Sequence, residues 1–273
     1  DYPQGWQNSD VLVTLNAVDQ PQDGTECGVL ETYYCFGSGC TSNDYTGTSI
    51  QITQEGETII GYHSIDNYKQ NTEPWNYITV KIDKTNPSST AHLSGTSGNN
   101  DWYTSNVQVI LTAQDQLSGI LNIYHCIDSN NTCTPTSTDT TFTITQEGTS
   151  YLRFYAEDIA GNKEPINVII IKIDKSKPQV SLDALPEFDG DGIVQLTWTA
   201  SDSVSGISHY QVYRNNVLIN TTSTTSFTDS GLAHNTLYSY YIKAIDNAGN
   251  SQDSNICLLY TSDAADDGES VDL

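Results

Sequence analysis

Apolar and polar residues alternate along most of this chain. Val11, Val13, Leu15 and Ala17 share one side of a two-residue period, and Val107, Val109, Leu111 and Ala113 repeat it further on. Val194, Leu196, Trp198 and Ala200 repeat it a third time. Such alternation, rich in β-branched and aromatic residues, predicts strands with one buried face. No stretch carries a 3.6-residue apolar period, so helices are not expected.

Other landmarks recur in the same order, as they do in a chain built of repeated units. Trp6-Gln-Asn-Ser-Asp-Val returns as Trp102-Tyr-Thr-Ser-Asn-Val, and Tyr34-Cys35 as His125-Cys126. Thr53-Gln-Glu-Gly56 returns as Thr145-Gln-Glu-Gly148, Asp66 as Asp158, and Lys81-Ile-Asp-Lys84 as Lys172-Ile-Asp-Lys175. In a third unit Tyr240, Ile242 and Ala244 take the slots of Leu152, Phe154 and Ala156. The fold class this predicts is all-β, with three tandem β-sandwiches over residues 1–85, 86–177 and 178–256. The first unit lacks a counterpart of Ala91-His-Leu-Ser-Gly95, the opening strand of the second. It is therefore expected to begin inside a sandwich and to leave a sheet edge exposed. Short Pro-containing linkers, Lys84-Thr-Asn-Pro87 and Lys175-Ser-Lys-Pro178, predict stiff strand-to-strand joins and an extended rod.

Trp198 in the second strand, Tyr210 and Tyr213 in the third, and Leu232 followed by Tyr238 give the third unit a resemblance to fibronectin type III domains. The resemblance implies that the Tyr238 phenol bonds back to the backbone as a tyrosine corner. The first two units are similar to Ig-like repeats of large bacterial and archaeal surface proteins and secreted enzymes. The residues that carry this are the Trp near the second strand, Asp115-Gln-Leu-Ser-Gly-Ile120, Glu147-Gly148, Asp158-Ile-Ala-Gly-Asn162 and Lys172-Ile-Asp-Lys-Ser-Lys-Pro178. The first unit departs from the pattern with Asp66-Asn-Tyr-Lys-Gln-Asn71. The end of the chain, Cys257-Leu-Leu-Tyr-Thr-Ser-Asp-Ala-Ala-Asp-Asp267 and on to Leu273, resembles the translation of a transposase sequencing adapter. Residues 257–273 are accordingly expected to be non-native and to stand outside the fold, and the chain to be a metagenomic piece of a longer protein.

Charge narrows the function. With 34 acidic and 10 basic residues the formal charge is −24, and no basic stripe exists to displace counterions from a phosphate backbone. Nucleic acid is thereby excluded as a partner. No apolar run approaches the roughly 20 residues of a membrane span. Gly-x-Ser-x-Gly, His-Glu-x-x-His and phosphate-loop motifs are missing, and His63, His92, His125, His209 and His234 are scattered over all units, so no catalytic residue is expected.

Four kinds of residue remain as candidate chemistry. Cys35 with Cys40, and Cys126 with Cys133, stand at equivalent places and can close local disulfides, which imply an oxidising, extracytoplasmic location. No second Cys pair or His cluster accompanies them to complete a metal site. Cys27 has three readings: a free thiol, a cysteine whose partner is lost, or a competitor for Cys35 or Cys40. The carboxylates Asp83, Asp115 and Asp158 are expected to converge where the first unit meets the second, and Asp174, Asp202 and Asp246 where the second meets the third. This is the oxygen-rich chemistry calcium takes; the same Asp residues also suit turns in which they accept their own loop's N–H groups. Asp189-Gly-Asp-Gly192 reads as a turn. Asn130 and Asn220 open glycosylation sequons in predicted turns. The many tyrosines, among them Tyr124, Tyr151, Tyr155, Tyr213 and Tyr241, serve either to stack on a glycan or protein partner or to cover sheet faces as cross-strand pairs. The resulting expectation is an extracellular structural spacer or adhesion module of a prokaryotic surface or secreted protein. A glycan- or protein-binding module, or an accessory region of a secreted hydrolase, stands beside it.

Overall fold

The computed structural model describes residues 3–18, 28–67, 72–188 and 190–262. Every regular element among them is a strand, so no helix there is long and apolar enough to cross a membrane. The first unit holds β1 (Trp6–Gln7), β2 (Val11–Thr14), β3 (Val29–Phe36), β4 (Tyr45–Thr46), β5 (Ser49–Ile52), β6 (Gly56–Asp66) and β7 (Asn76–Ile82). The second holds β8 (Ser88–Ser94), β9 (Trp102–Tyr103), β10 (Val107–Gln114), β11 (Ile120–Asp128), β12 (Thr141–Ile144), β13 (Gly148–Asp158) and β14 (Asn167–Ile173). The third holds β15 (Gln179–Leu182), β16 (Ile193–Ser201), β17 (Ile207–Arg214), β18 (Val217–Thr222), β19 (Ser226–Ser230), β20 (Thr236–Asp246), β21 (Ser251–Asp253) and β22 (Cys257–Thr261).

Each unit is two sheets face to face. The first pairs β2-β5 against β1-β7-β6-β3-β4, and the second β12-β10-β8 against β11-β13-β14-β9. The third pairs β15-β16-β19 against β18-β17-β20-β21, with β22 also on β20. The alternation fixes which face turns inward. Val107, Val109 and Leu111 of β10 meet Leu152, Phe154 and Ala156 of β13, while the residues between them face out. Val11, Val13 and Ile60 do the same in the first unit, and Leu196, Trp198, Tyr240 and Ile242 in the third. The three cores are separate clusters.

The chain's end corrects one expectation. Residues 257–261 do not stand outside the fold: they form β22, antiparallel to β20, with Leu259 and Thr261 buried. The physical reason is plain in Cys-Leu-Leu-Tyr-Thr, which alternates like any strand and meets the open edge of β20 beyond β21. Residues 263–273 lie outside the described residues, as do Cys27 and Asp189.

Candidate functional site

The residues with the most organised chemistry sit where one unit hands over to the next. At the second junction β14 ends in Asp174, whose side chain is fully buried. Its Oδ1 accepts the Ser176 N–H at 3.0 Å, which turns the linker, and its Oδ2 accepts the Ser205 N–H of the next unit at 3.1 Å. Its carbonyl accepts Nδ2 of Asn250 at 3.0 Å. Two loops of the third unit supply the rest. Oδ1 of Asp202 gathers the N–H groups of Val204, Ser205 and Gly206 at 3.1, 2.9 and 2.7 Å. Oδ1 of Asp246 takes those of Gly249 and Asn250 at 2.7 and 2.8 Å, and its Oδ2 holds the Asn250 amide at 2.9 Å. Gly249 closes this loop with φ of 97°, a conformation open to glycine at little cost.

The first junction repeats the arrangement with fewer bonds: Asp115 takes two loop N–H groups where Asp202 takes three. Asp83 accepts the Thr85 N–H at 3.1 Å and the Ser118 N–H of the second unit at 2.9 Å, and its carbonyl accepts Nδ2 of Asn162 at 2.8 Å. Oδ1 of Asp115 takes the N–H groups of Leu117 and Gly119, and Asp158 takes the N–H and side-chain amide of Asn162. In each set one carboxylate oxygen per Asp lies within 4.8 Å of the others. Asp83, Asp158, Asp174 and Asp246 are buried, and Asp115 and Asp202 half-buried. None of these six joins any ion pair found among the described residues. Burial raises the Asp174 pKa, the nearby charges of Asp202 and Asp246 push the same way, and the hydrogen bonds from Ser205 and Ser176 oppose them.

A second set of bonds clamps the linkers from the unit they leave. Oε1 of Glu147 accepts the Lys175 N–H at 2.8 Å and Oε2 the Ser176 hydroxyl at 2.9 Å, while Lys175 Nζ reaches back to Asn106 Oδ1 and the Thr145 carbonyl, both at 2.9 Å. Glu55 takes the Lys84 N–H at 2.6 Å and the Thr85 hydroxyl at 3.2 Å, and Lys84 Nζ reaches Asp10 and the Thr53 carbonyl. This is the work of the repeated Thr-Gln-Glu-Gly and Lys-Ile-Asp-Lys motifs, whose recurrence is visible in the sequence but whose role is not. At the second junction the units also touch directly. The Asn99 N–H donates to the Ala248 carbonyl at 2.8 Å, and Asn100 Nδ2 to that of Asn247 at 3.0 Å.

The remaining candidates lie elsewhere. Cys35–Cys40 and Cys126–Cys133 form disulfides, with Cα atoms 6.0 and 6.2 Å apart. Asp128 seals the second of these loops by accepting the N–H groups of Asn131, Thr132 and Cys133, and those bonds, Thr132 foremost, lower its pKa. Asn130 is exposed in that loop. Asn220 is not in a turn: it is half-buried in β18, opposite Val212. The hairpin turns earlier, at Asn215 and Asn216, both with the positive φ that such two-residue turns require and Asn tolerates. The tyrosines pair across strands. Tyr124 stacks on Tyr155 at 5.1 Å and Tyr213 on Tyr241 at 4.6 Å, which covers the sheet faces.

Comparison with known proteins separates the third unit from the others. Residues 176–257 match the fibronectin type III domain. In the matched unit Leu232 is buried and the Ala233 N–H donates to the Tyr238 phenol at 3.0 Å. Exoglucanase B of Cellulomonas fimi is 32% identical over 127 residues, which are 43% of this chain and 12% of that enzyme. Chitinase Chi52 of Paenibacillus xylanexedens is 38% identical over 88 residues, 32% of this chain and 17% of that enzyme. The chain thus spans a small part of the length of the curated relatives it matches. A solved structure of fibronectin(III)-like modules of Clostridium thermocellum CbhA aligns with 67% of this chain and 100% of its own, at 18% identity and a TM-score of 0.34.

Proposed function

We propose that this chain is a non-catalytic spacer that works outside the cell as an accessory region of a secreted polysaccharide-degrading enzyme. Its task is to hold neighbouring domains at a fixed distance and angle. The observation that carries this reading is the doubly stapled junction. Each linker is gripped by a glutamate behind it and by backbone N–H groups ahead of it, and the pattern is the same at both joins. Relatives that are an exoglucanase and a chitinase, matched over a minor part of their length, agree with an accessory role, and two disulfides agree with an oxidising compartment. Small-angle scattering tests the reading directly. A stiff spacer gives one extended profile at all salt concentrations, and Glu147→Ala broadens it. A compact or ensemble-averaged profile for the unaltered chain rejects the spacer. Hydrolysis of cellulose, chitin or starch by the purified chain would reject the absence of catalysis.

Calcium belongs to the same proposal. Three carboxylates drawn together without a lysine or arginine form a hard-oxygen set that a divalent cation suits. At the second junction the cation would also relieve the burial that raises the Asp174 pKa. The amides that gather on Oδ1 of Asp202 leave its Oδ2 outside those bonds. Asp202→Asn therefore keeps the loop and removes a charge. Calcium at a hundredfold excess over its Kd stabilises by about 2.7 kcal/mol, so thermal melting in millimolar calcium rises above that in chelator, and Asp202→Asn removes the second junction's share of the rise while the first junction's set stays intact. Identical melts in calcium and chelator reject the cation and leave the spacer standing.

A further inference from the structure

The two junctions share their staples but not their walls. Beside the first lies an open groove of about 400 Å³, a size that suits a small ligand. The turn between β5 and β6 lends it Glu55, the linker lends Thr85 and Asn86, and the loop after β10 lends Asp115, Gln116 and Leu117. Gln114, the last residue of β10, completes that wall. Stapling already fixes the two carboxylates. Glu55 holds the Lys84 N–H at 2.6 Å and the Thr85 hydroxyl at 3.2 Å, and Oδ1 of Asp115 holds the Leu117 and Gly119 N–H groups at 3.1 and 2.8 Å. The amides take no part in it. The side chains of Asn86, Gln114 and Gln116 are exposed and hold no hydrogen bond with any described residue.

The second junction shows what stapling alone requires. Gln114 pairs with Ser88 across β10 and β8 as Ser201 pairs with Gln179 across β16 and β15, which puts the two junctions in register. Asp115 then corresponds to Asp202, Gln116 to Ser203 and Asn86 to Lys177. The staple forms there with two serines and a lysine in place of the three amides, so the amides are surplus to holding units together. The chemistry of the walls narrows the ligand. No lysine or arginine lines the groove, and Glu55 with Asp115 makes it negative, which opposes an anion. Leu117 is its one large apolar side chain, which is too little for an apolar ligand. What remains is a set of donors and acceptors side by side. Each amide presents both kinds, and each carboxylate strengthens the bonds it accepts from O–H groups. Hydroxyls on neighbouring carbons of a sugar ring, each a donor and an acceptor, match such a set.

We propose that the groove at the first junction binds a neutral, hydroxyl-rich oligosaccharide. Asn86, Gln114 and Gln116 bridge its hydroxyls, Glu55 and Asp115 accept from them, and Leu117 packs on the C–H face of a ring. The linker orders both carboxylates beforehand, so less side-chain freedom is lost on binding. That the sugar is a stretch of polysaccharide rests on the accessory-region reading above.

Cellohexaose, chitohexaose and maltohexaose are the probes, titrated separately into the whole chain by calorimetry in the presence of chelator. At least one is expected to saturate by millimolar concentration, and the arms tell which polymer supplies it. Gln114→Ala combined with Gln116→Ala should weaken that binding at least tenfold, and Ser203→Ala at the second junction should leave it unchanged. Both glutamines are exposed and outside the staple, so the double variant keeps the melting temperature of the unaltered chain. Any of three results overturns the proposal: no saturation by any of the three sugars, equal binding by the double variant, or saturation by spermine where the sugars stay silent. The last would make the groove a cation site. Silent sugars with an extended scattering profile overturn this site and leave the spacer standing. A sugar that saturates a chain of compact profile supports the site and overturns the spacer.

Discussion

Asp229 lies at the end of the third core, with Arg214 Nη1 at 2.9 Å and the buried Tyr240 hydroxyl donating to it at 2.8 Å. Burial, first, and this carboxylate, second, raise the Tyr240 pKa, so the phenol stays protonated and remains a donor. Asp229→Ala strands both partners, and about 2–3 kcal/mol of unfolding free energy should be lost in urea titration. The paired change Asp229→Ala with Tyr240→Phe recovers part of it, because an acceptor and a donor leave together. His125 shows the opposite kind of burial. Its ring stacks on Phe142 at 4.1 Å, and burial lowers its pKa while Asp139 partly opposes the shift. The folded state therefore binds fewer protons than the unfolded state just below the unfolded pKa of about 6.5. The stability of the second unit should be full above that value and fall as pH drops toward the folded pKa. His125→Phe should flatten the melting temperature between about pH 7 and 5.

Strands were legible in the sequence because one property, alternation, both marks them and makes them bury a face. Val107, Val109 and Leu111 could be assigned to the core on pattern alone. The disulfides were legible for a similar reason, since each Cys pair stands at the same point of its repeat. What escaped notice has no side-chain signature. The N–H groups of Ser118 and Ser205 cross the junctions from the backbone, so nothing in their residue type announces them. Glu55 and Glu147 were visible as repeats, but a repeated residue does not say which linker atom it will meet. Asn220 was placed in a turn because Asn favours turns, yet Asn215 and Asn216 had already made one. For β22 the alternation is present in Cys-Leu-Leu-Tyr-Thr, but the resemblance of the tail to an adapter takes it out of the third unit. That strand buries Leu259 against the third core. Ending the chain at 256 should cost the third unit about 2–4 kcal/mol, from one buried leucine and five lost strand pairs. Comparing thermal melts of residues 1–256 and 1–262 measures it, and equal melting temperatures would show that β22 contributes nothing.

Across the whole molecule, the units are held by close approach as well as by bonds. A Cβ placed on Gly98 would collide with the Ala248 carbonyl, and one on Gly249 with the Asn99 side chain. Gly98→Val should therefore pry the second junction apart while each core stays folded. Scattering would show a broader distribution of lengths, and the melting of the third unit would hardly move. Glu147→Ala should add to the effect, since it frees the same linker from the other side. The two junctions share the same two grips, a glutamate behind the linker and a serine N–H on the buried aspartate ahead of it, and this has a consequence. The second unit carries both halves of this fastening, the serine N–H and paired aspartates at its front and the glutamate and aspartate at its back, so a duplicated copy of it would bring its own attachment to each neighbour.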